Sequence, residues 1–523
     1  MRDRFVEERL PERQALPEFR LLDYPARLNA AAELLKGGVP DDLAIVNSHG
    51  RWSYAELDNF SGRIARLLVD EQRLLPGNRV LLRGPNGYTL FAAWLGVLKA
   101  GGVVVATMPL LRPGEIATVI DRARISHAIV DSRFIGDFRE AMEQTRFVKQ
   151  LVKYDGDFGQ GELEIRCAGL EPLPALDTAQ YDPALIAFTS GTTGIPKGCV
   201  HYHRDLLSPC DTFAKEHFAL APGDVVLTSA PIAFTFGLGA TLLFPLRFGA
   251  AAATVEQSSP AQLLETIATH RVTHLATAPT AYKAMLADPG LDAALKTLRT
   301  GLSAGEHLPE AIWHAWTDRT GIAIVDGIGT TELMHIFISE SGDSMRPGST
   351  GRAVPGYEAA ILDPGGNELA TGEGRLGVKG PTGCRYLDDP RQADYVQNGW
   401  NITGDTYSKD KDGYYWFVAR SDDMIVSSGY NIAAPEVEKA LLAHPAVAEC
   451  AVIGVPCAER GQKVKAFVVL AAGIEPSKAL IVELQAFVKA TIAPYKYPRE
   501  VKFVESLPRT ATGKLRRVAL RKK

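Results

Sequence analysis

The sequence predicts an α/β fold: a large N-terminal domain of parallel and mixed sheets covered by helices, then a small, mobile C-terminal α+β domain. Three observations carry this. Short β-branched runs alternate with helical patterns for most of the length, as βαβ units do. The two longest apolar stretches are each interrupted by glycine and a charged residue, so they read as buried core and not as membrane spans. After about residue 400 the pattern changes to hairpins, two amphipathic helices and two longer strands.

In chain order, "RVLLRG" (79–84) is a buried strand ahead of a helix near Tyr88–Ala100. In "LFAAWLGVLKAGGVVVATMPLL", Lys99 and Gly101–Gly102 mark a helix, a glycine C-cap and a second buried strand. "HAIVD" (127–131), "ALIAFT" (184–189), "VVLTSA" (225–230), "THLATA" (273–278) and "IAIVDG" (322–327) are further strands. "TFGLGATLLFPLRFGAAAATV" is broken by Pro245, Arg247 and Gly249. Beyond it, "GDTYSKDKDGYYWFVARSDDMIVSSG" reads as hairpins turning at Lys411–Asp412–Gly413. "APEVEKALLAHP" begins a helix with Pro435 near its start. "VAECAVIGVP" and "KVKAFVVLA" are strands, and "KALIVELQAFVKATI" is a second helix. The boundary falls at "ARSDD", so residues 1–421 form the large domain and 422–523 the small one.

The 523 residues suffice for several domains, and 46% hydrophobic with 23% charged residues is ordinary for a soluble globular chain. A net charge of −4 gives no reason to expect nucleic acid or an anionic membrane as partner. Six cysteines without a CxxC pair suggest a reducing compartment, with neither a disulfide framework nor a zinc ribbon. The charged start "MRDRFVEERLPERQ" lacks the apolar core of a signal peptide, so the expected location is the cytoplasm. The oligomeric state stays open, with a homodimer one option.

Several motifs lead nowhere. "HRDL" (203–206) imitates a kinase catalytic loop, but Cys210 stands where its asparagine should be, and no D-F-G occurs. "GIGTTE" lacks the third glycine of a dinucleotide fingerprint. "GLSAG" (301–305) fits a serine-hydrolase elbow with Ser303 as nucleophile, a short pattern that also arises by chance. Cys199, His201 and His203 alternate and could share a strand face as metal ligands; the plainer reading is histidines hydrogen-bonded within the fold.

"FTSGTTGIPKG" (188–198) is different. Its glycines and hydroxyls offer unobstructed donors to an anion such as phosphate. It is not the common ATPase loop, because Pro196 replaces the second glycine and prevents a helix from starting there. Three further segments follow in order: "GIGTTEL" (327–333), "WNITGD" (400–405) with "ARSDD", and "PRTATGK" (508–514). Together they resemble the adenylate-forming superfamily of acyl- and aryl-CoA synthetases, luciferases and peptide-synthetase adenylation domains, over about Arg51 to Lys514. "RWSYAEL", "GNRVLLRGPN", "VVATMPLLRPGE", "RARISHA", "PIAFTFGLG" and "DGIGTTELMHIF" look like its benzoate and 2-aminobenzoate CoA ligase branch. Each of these also reads as plain core strand or helix.

The resemblance implies an ATP-dependent aryl-CoA ligase with ATP, Mg²⁺ and coenzyme A as co-substrates and a small aromatic acid, 2-aminobenzoate ahead of benzoate. Thr189, Ser190, Gly191, Thr192, Thr193 and Gly194 would wrap the β- and γ-phosphates, and Lys197 would add positive charge. Thr331 would bond the α-phosphate, and Glu332 would hold Mg²⁺. Ser303, Ala304, Gly305 and Glu306 with Asp326, Gly327 and Ile328 would form the adenine pocket. Ile328 stands where many members carry a stacking tyrosine, a loss of ~0.5–1.5 kcal/mol. Asp405 and Arg420 would hold the ribose. Phe234, Phe236, Gly329, Met334 and His335 would line a flat apolar slot for the ring. His335 either bonds an ortho amino or hydroxyl group or is a satisfied histidine on a buried turn. Lys514 would be the catalytic lysine of adenylation, Asp422 the hinge of the small domain, and Ser428, Gly429 and Tyr430 a path for the CoA arm. Rival expectations are an enzyme loading a carrier-protein thiol and a hydrolase acting through Ser303.

Overall fold

The computed structural model describes residues 1–189, 196–420, 423–427, 430–457, 461–492, 494–509 and 515–521. They fall into two compact units: Met1–Ala359 with Val378–Asn401, and Ala360–Gly377 with Ile402–Lys523. This division differs from the boundary at Asp422. Residues 360–377 and 402–421 belong to the unit that holds the C-terminus, because Trp400–Lys409 runs straight into the hairpin with Tyr415–Arg420. Asp422 itself lies outside the described residues, so the limits 1–421 and 422–523 remain a proposal.

In the larger unit, one nine-stranded sheet runs in the order Arg352–Ala353, Ile336–Ser339, Ile324–Gly329, Thr300–Ser303, His274–Thr277, Val225–Thr228, Ala251–Ala253, Leu43–Asn47, Gly50–Ser53. Its central pairs are parallel and its margins antiparallel. The parallel strands are buried on both faces, which is why they read as near-continuous apolar runs. Leu227, Leu275, Trp316 and Ile324 sit in one core cluster on it. The second sheet orders Gln150–Tyr154, His127–Asp131, Arg79–Arg83, Val103–Thr107, Pro183–Thr189 and Lys197–Tyr202. Only its last pair is antiparallel.

The apolar stretch divided by Lys99 is the helix Tyr88–Lys99 and the strand Val103–Thr107. Gly101 takes a φ of +77° between them, and Gly102 N–H reaches back to Val97 O at 2.8 Å, closing the helix end as a glycine cap does. Lys99 is buried but paired: Nζ donates to Asp58 O at 2.7 Å and to Asp58 Oδ1 at 2.5 Å. Among the described residues no helix is long and apolar enough to cross a membrane.

In the smaller unit, Met424–Ser427, Tyr430–Ala433, Gly461–Leu470, Val447–Cys457 and Glu500–Phe503 form one sheet. Helices Ala434–Leu442 and Lys478–Thr491 pack on it through Val437, Leu441, Leu484 and Val488. The hairpin at 411–413 also forms, with Gly413 at a φ of +85° and Asp410 Oδ1 accepting from Tyr414 N–H.

Candidate active site

Ligands of open α/β sheets bind beyond the carboxyl ends of the strands. The register Ala276↔Thr228, Thr277↔Ser303 and Ser303↔Asp326 sets four such ends side by side. At this edge and just beyond it lie 229–236, 303–306 and 326–335, which hold half of the residues expected from the sequence.

The strands on either side of residues 190–195 pair antiparallel, with Thr189 opposite Lys197, so a strand and not a helix follows Pro196. Ser190, Gly191, Thr192, Thr193 and Gly194 lie outside the described residues. Thr189 Oγ1 is buried with no hydrogen-bond partner among those described. Lys197 Nζ donates to the Tyr386 hydroxyl at 2.5 Å and stands 3.6 Å from Glu332 Oε1. Tyr386 in turn donates its proton to Glu332 Oε1.

Thr331 lies in a turn where its carbonyl accepts from Met334 N–H at 3.1 Å and from His201 Nε2 at 2.8 Å. His203 lies in the following helix, His203–Pro209, and its Nδ1 accepts from Ala30 N–H at 3.1 Å. Cys199, His201 and His203 thus do not share one strand face, and both histidines have structural partners.

Gly327, Ile328 and Gly329 end a strand that folds back onto Ile336–Ser339. A Cβ on Gly329 would lie 2.5 Å from His335 O, and one on Gly327 would lie 2.8 Å from the Ile336 side chain. These glycines are required by the hairpin itself. On the adjoining strand, Ser303 is fully buried and its Oγ has no partner among the described residues. A hydrolytic serine needs a base within hydrogen-bond reach, and none of the described residues supplies one to Ser303. Ala304 is buried, while Gly305, at a φ of +90°, and Glu306 carry the chain outward.

Asp326 Oδ1 is also buried without a partner among the described residues. Burial pushes this carboxyl up to about 8, and a hydrogen bond from the Gly327 backbone only partly offsets it. The folded state therefore holds the proton more tightly than the unfolded chain. The stability gained this way is complete below about pH 4 and is lost as the pH rises through about 8. Asp326→Asn is expected to raise the unfolding free energy more at pH 9 than at pH 5, by on the order of 1–3 kcal/mol. Thermal unfolding checks this; a gain that does not grow with pH would contradict it.

The aromatic cluster centres on His335. Its ring lies 5.6 Å from Phe213, 5.8 Å from Phe236 and 4.6 Å from Phe244. Burial pushes the imidazole down to about 3, so it is neutral. Nε2 sits 3.4 Å from Phe236 O. A carbonyl only accepts, so Nε2 carries the proton and Nδ1 remains an acceptor, buried and without a partner among the described residues. Met334 holds the turn at a φ of +69° and is fully buried. Phe234 precedes the short helix Thr235–Leu238, and Asn86 braces that segment: its Nδ2 donates to Ala230 O and its Oδ1 accepts from Ile232 N–H. The sequence did not single out Tyr386, Tyr395, Asn86, Phe213 or Phe244. Of these, Asn86 alone falls in a stretch quoted for the resemblance, "GNRVLLRGPN".

In the smaller unit, Asp405 and Arg420 face each other across two strands. Arg420 Nη1 is 3.2 Å from Asp405 Oδ1; the carboxylate is buried and the guanidinium half-exposed. Tyr430 opens the strand Tyr430–Ala433, its backbone opposite Ser427. Asp422, Ser428, Gly429 and Lys514 lie outside the described residues.

A model of the AMP-binding enzyme family matches residues 36–385, and one of the AMP-binding enzyme C-terminal domain matches residues 436–514. The chain is 35% identical over 511 residues to the benzoate–CoA ligase of Thauera aromatica, covering 96% of this chain and 97% of that protein. It is similar to the crystal structure of the anthranilate CoA ligase AuaEII in complex with anthranoyl-AMP. There the TM-score is 0.89 at 32% identity, over 96% of this chain and 98% of that one. Against a benzoate CoA ligase from Burkholderia xenovorans LB400 the TM-score is 0.87 at 34% identity, over 94% and 100%.

Proposed function

Because the chain belongs to the AMP-binding enzyme family, we propose that it is an aryl-CoA ligase, acting on 2-aminobenzoate ahead of benzoate. The acid's carboxylate attacks the α-phosphorus of ATP and pyrophosphate leaves. The CoA thiol then attacks the acyl carbon of the acyl-AMP and AMP leaves. Thr189 to Gly194 and Lys197 take the β- and γ-phosphates, Thr331 the α-phosphate, and Asp405 with Arg420 the ribose. Ser303 to Glu306 and Asp326 to Ile328 take the adenine. Glu332 fits Mg²⁺ as a hard oxygen donor, since among the described residues no hydrogen bond ends on its Oε2. When bound, the cation offsets polyphosphate charge. Lys514 serves adenylation, Asp422 is the hinge, and Ser428, Gly429 and Tyr430 border the path of the CoA arm. The reaction takes place in the cytoplasm.

The observation that carries the choice of acid is the phenylalanine cluster around a neutral His335 with an unused acceptor at Nδ1. Flat apolar walls suit a planar ring, and an ortho amino group brings the N–H that this acceptor lacks. ATP–pyrophosphate exchange over a panel of acids tests it. 2-Aminobenzoate is expected to exceed cyclohexanecarboxylate in kcat/KM by about tenfold or more, from pocket contacts worth ~1–3 kcal/mol. Equal or reversed preference would sink the aryl reading.

A further inference from the structure

Four side chains from outside the Gly/Thr turn hold it in place. Thr382 Oγ1 donates to Leu333 O at 2.7 Å, and His201 Nε2 donates to Thr331 O at 2.8 Å. Tyr395 OH lies 3.0 Å from Thr330 Oγ1. These three grip the backbone or a neighbouring hydroxyl. Tyr386 is the one that grips the Glu332 carboxylate, among the described residues. Its hydroxyl has a single proton, which goes to Glu332 Oε1. Lys197 must then donate to the phenol oxygen, so the chain runs in one direction, from lysine through tyrosine to carboxylate.

Tyr386 is almost fully buried, and its ring lies 5.8 Å from that of Tyr395. Lys197 Nζ sits over the same ring, 4.5 Å from its centre. Ring and hydroxyl together keep the ammonium 3.6 Å from the carboxylate instead of in contact with it. Without the hydroxyl, the two opposite charges would close on each other in a poorly solvated place, where their attraction is strong. Lys197 would then compete with a cation for Glu332, and Glu332 with a phosphate for Lys197.

We infer that Tyr386 is a positioning residue for adenylation: it fixes Glu332 by Oε1, leaves Oε2 for the cation, and rests Lys197 until a phosphate arrives. This rests on the roles proposed above for Glu332 and Lys197. Partners of metal ligands commonly matter about 10–100-fold for metal affinity.

The test is calorimetric titration with ATP, once with Mg²⁺ and once with EDTA. The ratio of the two affinities is the metal-linked gain, and no turnover is involved. Tyr386→Phe keeps the ring and removes only the hydroxyl. It is expected to lose about tenfold of that gain while its unfolding midpoint stays near the wild type. Tyr386→Leu is a second hydroxyl-free variant read in the same way should the first not fold. A folded hydroxyl-free variant that keeps the whole gain, beside a Glu332→Gln variant that loses it, overturns the inference alone. If Glu332→Gln also keeps the gain, the metal role of Glu332 is wrong and the inference falls with it.

Discussion

Lys514→Ala is expected to slow acyl-AMP formation by about 10²–10³-fold, the usual cost of losing one preorganised charged donor. It is expected to spare the conversion of supplied aryl-AMP and CoA to thioester. The motivation is "PRTATGK", whose resemblance puts the lysine against the reacting oxygens in the first step only. Lys514 lies outside the described residues, but the ends of its segment are held. Arg509 and Leu515 form an antiparallel bridge, and Arg516 N–H donates to Pro508 O at 2.8 Å. Leu515 packs against the cluster of Ala451, Phe467 and Leu520. Measuring the two half-reactions separately decides the matter. Equal losses in both would assign Lys514 to folding.

Asp422→Pro is expected to give the opposite phenotype, with acyl-AMP still formed and thioester formation lost. Proline fixes φ near −65° and removes a backbone donor, so a residue that must pass between two backbone states is held in one. On one side of it, Arg420 is tied into the hairpin opposite Asp405. On the other, Asp423 is bound by Arg517 and Arg521, each at 3.3 Å. Two residues, Ser421 and Asp422, separate these anchors. If Asp422→Pro loses both half-reactions in proportion, the hinge role is wrong.

What was legible in the sequence had local causes. Strands such as Pro183–Thr189 and Val225–Thr228 are apolar runs bounded by turn residues, and buried parallel sheets require that. The antiparallel pair on either side of residues 190–195 was half legible, because Pro196 cannot sit inside a continuing helix without breaking its hydrogen bonds. Lys99 marked the end of a helix, but its partner Asp58 lies 41 residues away and could not be named.

The rest depends on contacts distant in sequence. Tyr386 meets Glu332 over 54 residues and Lys197 over 189, from a stretch, "CRYLDDP", that reads as an ordinary turn. His201 alternates with Cys199 and His203 like a metal ligand, yet its partner is a carbonyl 130 residues on. Gly329 is expected to line the acid pocket, and the returning backbone at His335 makes a separate demand for glycine that the sequence does not show. Position 326 looked like one more polar residue of an adenine pocket, and only its burial reveals a carboxyl that retains its proton near neutrality.

The most direct measurement is product analysis after incubation with ATP, Mg²⁺, CoA and 2-aminobenzoate. Mass spectrometry is expected to find 2-aminobenzoyl-CoA and AMP in equal amounts, with pyrophosphate released and no ADP. Neither thioester nor AMP from 2-aminobenzoate, benzoate or the hydroxybenzoates would contradict the assignment of this chain as an aryl-CoA ligase.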